Sequence, residues 1–135
     1  GMSRDDGLMP ENKRRIMIGS YVLSSGYYDA YYLKAQQART LLIRQLDKLF
    51  ESYDFLLSPV SQTPAFKLGE NTHDPLKMYL ADAMTVPASL AGLPAISVPN
   101  GRSGTGLPIG IQLIAPAKAD AGLLAMAKQL EADDA

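Results

Sequence analysis

Two short apolar runs with a turn-rich segment between them constrain the fold most strongly. Ala95–Val98 and Ile109–Ala115 are both apolar, and the ten residues from Pro99 to Pro108 that separate them include three glycines. Glycine and proline interrupt regular structure, and a short apolar run closed by such residues is typical of a strand. The most economical connection between the two strands is a β-hairpin.

A first helix is predicted from Glu11 to Leu23. Pro10 suits the first helical position, and Ser24-Ser25-Gly26 is the next interruption. The apolar side chains wrap most of the circumference of this helix, a pattern expected of a helix that is buried on several sides. We therefore expect neighbouring elements to cover it. The apolar positions are Ile16, Met17, Ile18, Tyr21, Val22 and Leu23.

Two more segments have helical periodicity. Residues 27–53 carry apolar side chains at spacings of three and four with lysine, arginine and glutamine between them, and Ala119–Ala132 repeats the pattern at the end of the chain. Both are predicted to be amphipathic helices. The apolar positions of the longer one are Tyr31, Ala35, Ala38, Leu42, Leu46, Leu49 and Tyr53, and those of the last one are Leu123, Leu124, Met126, Ala127 and Leu130.

The middle of the chain is predicted to hold a strand, a loop and a third helix. Phe55–Leu57 reads as a strand and Val60–Thr72 as a loop. Asp74 and Pro75 are an N-cap carboxylate and a first-turn proline, so the third helix begins there and runs to about Thr85. Pro87 then breaks or restarts it.

Helices mixed with about three strands, two of them in a hairpin, indicate an α/β fold with a mixed sheet and four to five helices. So small a sheet beside so apolar a first helix suggests a domain that other residues complete. Gly1 before Met2 reads as a scar of tag removal. We assign residues 1–9 to this scar and a disordered start, and 10–135 to the incomplete domain.

Composition excludes several classes of function. The 13 basic and 14 acidic residues nearly cancel, which disfavours direct binding to nucleic acid or to an anionic membrane. The chain has no cysteine, so disulfides, thiolate metal sites and cysteine nucleophiles are excluded. No apolar window reaches the length of a membrane span. We expect a soluble, cytoplasmic protein.

Most motifs that could carry chemistry have an ordinary structural reading. His73 is the only histidine, and no cysteine or carboxylate cluster lies near it at metal-ligand spacing. The glycine-rich residues before Ile109 are followed by a strand, so a hairpin loop is favoured over a phosphate-binding loop. Ser24-Ser25-Gly26 lacks the glycine-flanked pattern of a nucleophile turn and is read as the end of a helix. The tyrosine pairs at 27–28 and 31–32 favour packing over a ligand pocket.

Two charged residues are harder to dismiss. Arg15 shares a helix face with Ile18 and Val22, where a guanidinium would need an anionic partner. Asp82 falls in the middle of the predicted third helix, where it gains nothing from capping and could pair with a cation. From spacing alone, an ordinary salt bridge or solvent exposure remains the alternative for both.

Several segments in colinear order resemble amidase-signature proteins over nearly the whole chain after residue 10. The run from Lys13 to Tyr32 and the Asp74–Tyr79 segment are similar to the glutaminase subunits, or A-subunits, of the tRNA-dependent amidotransferases, which form one branch of this family. The other matching segments are Ala38–Leu41, Asp54–Pro59, Pro64–Phe66, Leu90–Pro99 and Gly106–Ile114. The resemblance identifies residues 10–135 as the C-terminal portion of an amidase-signature domain.

The resemblance implies the chemistry. In this branch a serine, activated by a second serine and a lysine, releases ammonia from glutamine, and the B-subunit uses the ammonia with ATP and Mg to amidate Glu-tRNA(Gln) or Asp-tRNA(Asn). The signature that carries these three residues has no match here, so no catalytic residue and no cofactor are expected in this chain. By position, Arg15 resembles the arginine that holds the α-carboxylate of glutamine, and Asp82 resembles the aspartate that holds its α-ammonium.

The implied partners are the rest of the amidase domain and the B- and C-subunits of the amidotransferase, with tRNA contacted only through the B-subunit and no membrane contact. The isolated chain could also form a homo-oligomer through its uncovered surfaces. Two alternatives stay open. One is another amidase-signature hydrolase that acts on a small amide, and the other is a module that binds the other amidotransferase subunits without catalysis.

Overall fold

The computed structural model describes residues 7–70 and 75–133. The chain divides into two compact units, Gly1–Leu41 and Leu42–Ala135. The two units are described in turn.

The first unit is helical. Helix α1 spans Pro10–Val22, with proline in its first turn as predicted. A π-helical turn, Tyr28–Leu33, leads directly into α2, Lys34–Phe50. The prediction of one helix over residues 27–53 is therefore corrected at both ends. It opens with a wider turn, and the helix ends at Phe50. Beyond it, Ser52 N donates to Leu49 O at 3.1 Å, a three-residue bond that tightens the last turn, and Tyr53 N donates to the same carbonyl at 3.1 Å.

The apolar side chains of α1 are exposed among the residues that the structure describes. Ile16, Met17 and Ile18 are 53%, 72% and 51% exposed, and Tyr21 is 53% exposed. The sequence predicted burial on several sides by neighbouring elements, and the described part of this chain does not supply that cover. The reason is physical: an apolar helix is buried only where other elements supply a cover, and no described residue of α1 is buried.

We expect the isolated chain to self-associate, because apolar side chains of α1 remain in water and gain free energy when they are covered. Light scattering over a concentration series should give a mass that rises with concentration. Met17→Gln should weaken the association, whereas Arg14→Gln on the same helix is the matched control that should not. A monodisperse monomer at high concentration would contradict the prediction.

The second unit contains a small antiparallel sheet. Among the described residues it has three strands, β1 Leu56–Pro59, β2 Ala95–Arg102 and β3 Pro108–Ile114, in the order β1-β3-β2. The register pairs Ser58 with Gln112 on one side of β3 and Ser97 with Gln112 on the other. The predicted hairpin and the α/β class are confirmed. All the described strand pairs are antiparallel, whereas the strand pattern had suggested a mixed sheet.

The loop of the hairpin is shorter than the turn-rich segment. Strand β2 continues to Arg102, with an irregularity in its register after Pro99. Ser103 closes the loop, since its N–H donates to Leu107 O at 2.8 Å and its carbonyl accepts from Gly106 N at 2.8 Å. The glycine-rich segment is thus a hairpin loop, as predicted.

The third predicted helix is two short helices joined by a turn. Helix α3 spans Pro75–Ala81 and α4 spans Val86–Ala91, where it ends at Gly92 with a φ of 71°. Pro87 restarts the helix as predicted. Its ring would clash with the carbonyl of Ala83 in a continuous helix, so α3 ends one turn earlier. His73 and the predicted N-cap Asp74 lie outside the described residues.

The core of this unit lies between the sheet and the last helix, α5, Asp120–Asp133. Alternate side chains along β2 and β3 face α5, because successive residues of a strand point to opposite faces. Burying a leucine such as Leu123, which is 3% exposed, contributes about 1.5–3 kcal/mol. The buried cluster is Val98, Leu113, Ala115, Leu123 and Ala127.

Candidate functional site

Arg15 lies on α1, one turn after Glu11. Its Nε donates to Glu11 Oε1 at 3.0 Å, and its side chain is 63% exposed. The sequence predicted an anionic partner in apolar surroundings; the structure supplies the carboxylate from the same helix and leaves the guanidinium accessible to solvent. An exposed pair of this kind contributes at most about 1 kcal/mol. A ligand carboxylate could therefore compete for Arg15 at small cost.

The tyrosines that follow α1 contact one another. The rings of Tyr27 and Tyr31 lie 5.9 Å apart, those of Tyr28 and Tyr32 lie 4.9 Å apart, and Tyr21 lies 4.3 Å from Tyr27. The pKa of the Tyr21 hydroxyl is raised, chiefly by its hydrogen bond with Tyr27. The rings therefore pack on one another, but Tyr27, Tyr28 and Tyr31 are exposed, so the core packing that the sequence favoured is not found in the described part of the chain.

The segment Ser24-Ser25-Gly26 ends α1. Ser24 Oγ donates to Tyr21 O at 2.6 Å, which satisfies a carbonyl in the last turn of the helix. Gly26 follows with a φ of 88°, in the left-handed region that favours glycine. This is the predicted helix end.

Asp82 lies in the turn between α3 and α4, and not in the middle of a helix as predicted. We call residues Asp82–Thr85 the junction turn. The Asp82 carbonyl accepts hydrogen bonds from Thr85 N, Thr85 Oγ1 and Val86 N, each at 3.1 Å. Asp82 itself is exposed. The backbone of this residue is thus held in place while its carboxylate is accessible.

Arg15 belongs to the first unit and Asp82 to the second. Each is described within its own unit, and their roles in binding glutamine remain predictions. What the two share is chemical. Both are exposed charged residues, Arg15 positive and Asp82 negative. The backbone of Arg15 is fixed by a helix and that of Asp82 by a hydrogen-bonded turn.

Gln112 is a polar residue that the sequence patterns did not single out. It lies in the centre of β3, and only 4% of it is exposed. Its side-chain nitrogen donates to Ser58 Oγ at 3.1 Å and to Met84 O at 3.0 Å. Since a carbonyl only accepts, the NH2 end of the amide must face Met84. A polar side chain inside an apolar strand was the signal that could have revealed it.

Gln112 forms a polar row across the sheet with Ser58 and Ser97, its two register partners. The row lies on the face opposite α5. Gly110 leaves room for the Ser97 side chain, because a Cβ on it would lie 3.1 Å from Ser97 Oγ. A cleft of about 330 Å³ adjoins the row and is lined by Thr85, Ala88, Ser89, Leu93, Ala95, Ile96, Ser97 and Gln112.

Two kinds of site are absent from the part of the chain that the structure describes. No group of three or more histidine or carboxylate residues is arranged to hold a metal ion there. None of the helices in that part has the length and apolar character needed to cross a bilayer.

The family is decided by a comparison with protein-family models. The model described as Amidase matches residues 1–124. The chain belongs to the amidase family. The amidase resemblance that the sequence motifs indicated is thereby confirmed.

Curated amidase-family relatives refine this assignment. The chain is 62% identical over 112 residues to the A-subunit of the glutamyl-tRNA(Gln) amidotransferase of Geobacter metallireducens, covering 83% of this chain and 23% of the relative. It is 57% identical over 129 residues to the protein of the same name from a Synechococcus strain, covering 96% and 27%. This amidase chain therefore spans about a quarter of the length of the curated relatives that it matches.

Solved structures agree with the amidase fold. The A-subunit of the glutamyl-tRNA(Gln) amidotransferase of Thermotoga maritima matches 98% of this chain and 29% of its own, with 43% identity and a TM-score of 0.76. A structure described only as an amidase matches 99% and 31%, with 26% identity and a TM-score of 0.78. The allophanate hydrolase of Kluyveromyces lactis matches 93% and 20%, with 27% identity and a TM-score of 0.74. The predicted fold class is confirmed.

Proposed function

We propose that this chain is the substrate-recognition portion of a glutaminase subunit in a tRNA-dependent amidotransferase. The observation that carries the proposal is its identity of 62% and 57% to the A-subunits of two glutamyl-tRNA(Gln) amidotransferases. An amidase and an allophanate hydrolase resemble it at 26% and 27% identity. The larger likeness favours the glutamine-dependent branch.

In the proposed reaction, a serine outside this chain attacks the side-chain amide carbon of glutamine and expels ammonia. Water then hydrolyses the acyl-enzyme to give glutamate and regenerates the serine. A nucleophile of this kind needs a positioned base, and this chain contains no match to the serine and lysine signature that would supply it. The chain is therefore proposed to bind and position glutamine, not to break its bond.

Arg15 and Asp82 are proposed to hold the two charged ends of glutamine. A planar guanidinium donates two parallel hydrogen bonds to a carboxylate, and an aspartate accepts from an ammonium. Arg15 would thus take the α-carboxylate and Asp82 the α-ammonium, with the side-chain amide directed at the serine. Fixing both charged groups on Cα orients that end of glutamine and restricts where its side-chain amide carbon can lie, which lowers the entropic part of a barrier.

The released ammonia is proposed to pass to a B-subunit, which would use it with ATP and Mg to amidate tRNA-bound glutamate or aspartate. A C-subunit would complete the cytoplasmic complex. Because this chain is proposed only to bind glutamine, no cofactor is proposed for it.

Two other functions remain as candidates. One is an amidase that hydrolyses a small amide, which the likeness to the amidase structure and to allophanate hydrolase supports. In that case Arg15 and Asp82 would be structural. The other is an interaction module without catalysis.

The substrate profile of the full-length parent protein tests the proposal. We expect hydrolysis of glutamine and little or none of acetamide or allophanate, because only glutamine offers both charged ends. A parent that prefers acetamide or allophanate would favour the second candidate. A parent that hydrolyses no amide at all would favour the third.

A further inference from the structure

The buried amide of Gln112 ties the central strand of the sheet to the junction turn that carries Asp82. We propose that Gln112 is a positioning residue for glutamine recognition, acting through this turn. The inference rests on the proposed role of Asp82 in holding the α-ammonium. The observation that carries it is the 3.0 Å hydrogen bond from the Gln112 side chain to the carbonyl of Met84, two residues after Asp82.

The bond from Gln112 to Met84 connects the junction turn to the sheet. Inside the turn, the Asp82 carbonyl already accepts from Thr85 and Val86, so the turn is locally closed. These bonds lie within the turn, so they do not fix its position relative to the sheet. Gln112 supplies a fixed point from outside the turn, since it is 4% exposed and belongs to a strand paired on both edges.

The hydrogen bonds of the Gln112 side chain support a positioning role. Its NH2 group has two hydrogens, and both have an acceptor, Ser58 Oγ at 3.1 Å and Met84 O at 3.0 Å. Ser58 lies on β1, so the amide is held from a second strand while it holds the turn. An amide fixed on two sides loses little further freedom when a ligand binds, which favours a preorganised site.

An apolar residue would fill the same space without fixing the turn. Gln112 is only 4% exposed, and burying its amide costs free energy unless its hydrogen bonds are made. A long-range polar bond at this position instead specifies where one backbone carbonyl, and with it Asp82, is placed.

The test compares two substrates in the full-length parent protein. Glutaramate is glutamine without the α-amino group, so it does not need Asp82. We expect Gln112→Met to raise KM for glutamine about three- to tenfold, the equivalent of one lost hydrogen bond, with kcat little changed. Turnover of glutaramate should stay unchanged. Leu113→Met is the matched control, because Leu113 is the next residue, is also buried, and faces α5.

The outcomes separate this inference from the proposed function. If Asp82→Asn leaves the preference for glutamine over glutaramate intact, the proposed role of Asp82 fails. If Asp82→Asn abolishes the preference and Gln112→Met does not reduce it, only the role of Gln112 is overturned. Equal losses on both substrates would also overturn it, since they indicate a merely structural role.

Gln112→Glu keeps the length of the side chain but turns a donor toward Met84 into an acceptor, and it should reduce the preference in the same direction. It serves as the second variant where Gln112→Met does not fold. Failure of both variants to give folded protein would overturn the inference, because the amide would then support the whole fold and not one turn.

Discussion

Replacing Arg15 or Asp82 by alanine in the full-length enzyme should reduce kcat/KM for glutamine-driven amidation by the equivalent of about 2–5 kcal/mol, by analogy with removing one member of a hydrogen-bonded charge pair that binding buries at an interface. This corresponds to a loss of about 30-fold to a few thousandfold in kcat/KM. The loss follows because each variant leaves one charged end of glutamine without its partner. Steady-state assays with glutamine as the nitrogen donor measure it.

Amidation driven by free ammonium is the internal control. Ammonia has neither an α-carboxylate nor an α-ammonium, so both variants should retain this activity as long as the fold and the ammonia-using subunit are intact. Glu11→Gln is a matched control for Arg15→Ala, since it removes the ion pair on α1 without touching the guanidinium. If both variants lose the two activities equally, or if glutamine use is unaffected, the residues are structural.

The second large effect concerns the isolated chain. We expect it to have no glutaminase activity, because hydrolysis of an amide at neutral pH needs an activated nucleophile and none of the serines here matches the signature that would activate one. Ammonia release from glutamine, measured beside the full-length parent at equal molar concentration, should stay at the level of a protein-free blank. Glutamine hydrolysis that disappears on substitution of a serine within this chain would refute the prediction.

Local features of the fold were predictable because short-range chemistry determines them. The hairpin followed from two apolar runs around glycine and proline, and helix α1 followed from Pro10 and the break at residues 24–26. Pro87 correctly indicated a restart. The end of α3 was predicted at about Thr85 but lies at Ala81. Residues 82–85 contain no breaker, and the Pro87 ring interferes with the carbonyl four residues before it.

The exposure of α1 could not be predicted from periodicity. An apolar circumference specifies that a helix should be covered, but the cover has to come from other residues. Met17, at 72% exposed, shows that the described part of this chain does not supply it. The mixed sheet could not be decided from the sequence either. A strand pattern indicates that a strand forms, but it does not specify which strands pair or in which direction they run.

The contacts of Gln112 were unpredictable for a different reason. Its bonds reach across 28 residues to Met84 and 54 residues to Ser58. Periodicity places Gln112 on a strand but does not indicate which loop will lie above it. The glutamine-binding roles of Arg15 and Asp82, by contrast, were proposed from a resemblance to a family. The residue chemistry alone left an ordinary salt bridge as the alternative. For Arg15 the structure does contain such a pair, with Glu11 at 3.0 Å.

A glutamine-bound structure of the full-length enzyme, with its nucleophilic serine replaced by alanine, tests the central claim most directly. The predicted result is a glutamine whose α-carboxylate accepts from the Arg15 guanidinium and whose α-ammonium donates to Asp82, each at about 2.7–2.9 Å. Glutamine bound with either end on other residues, or with Arg15 still paired to Glu11 and out of reach of the ligand, would contradict it.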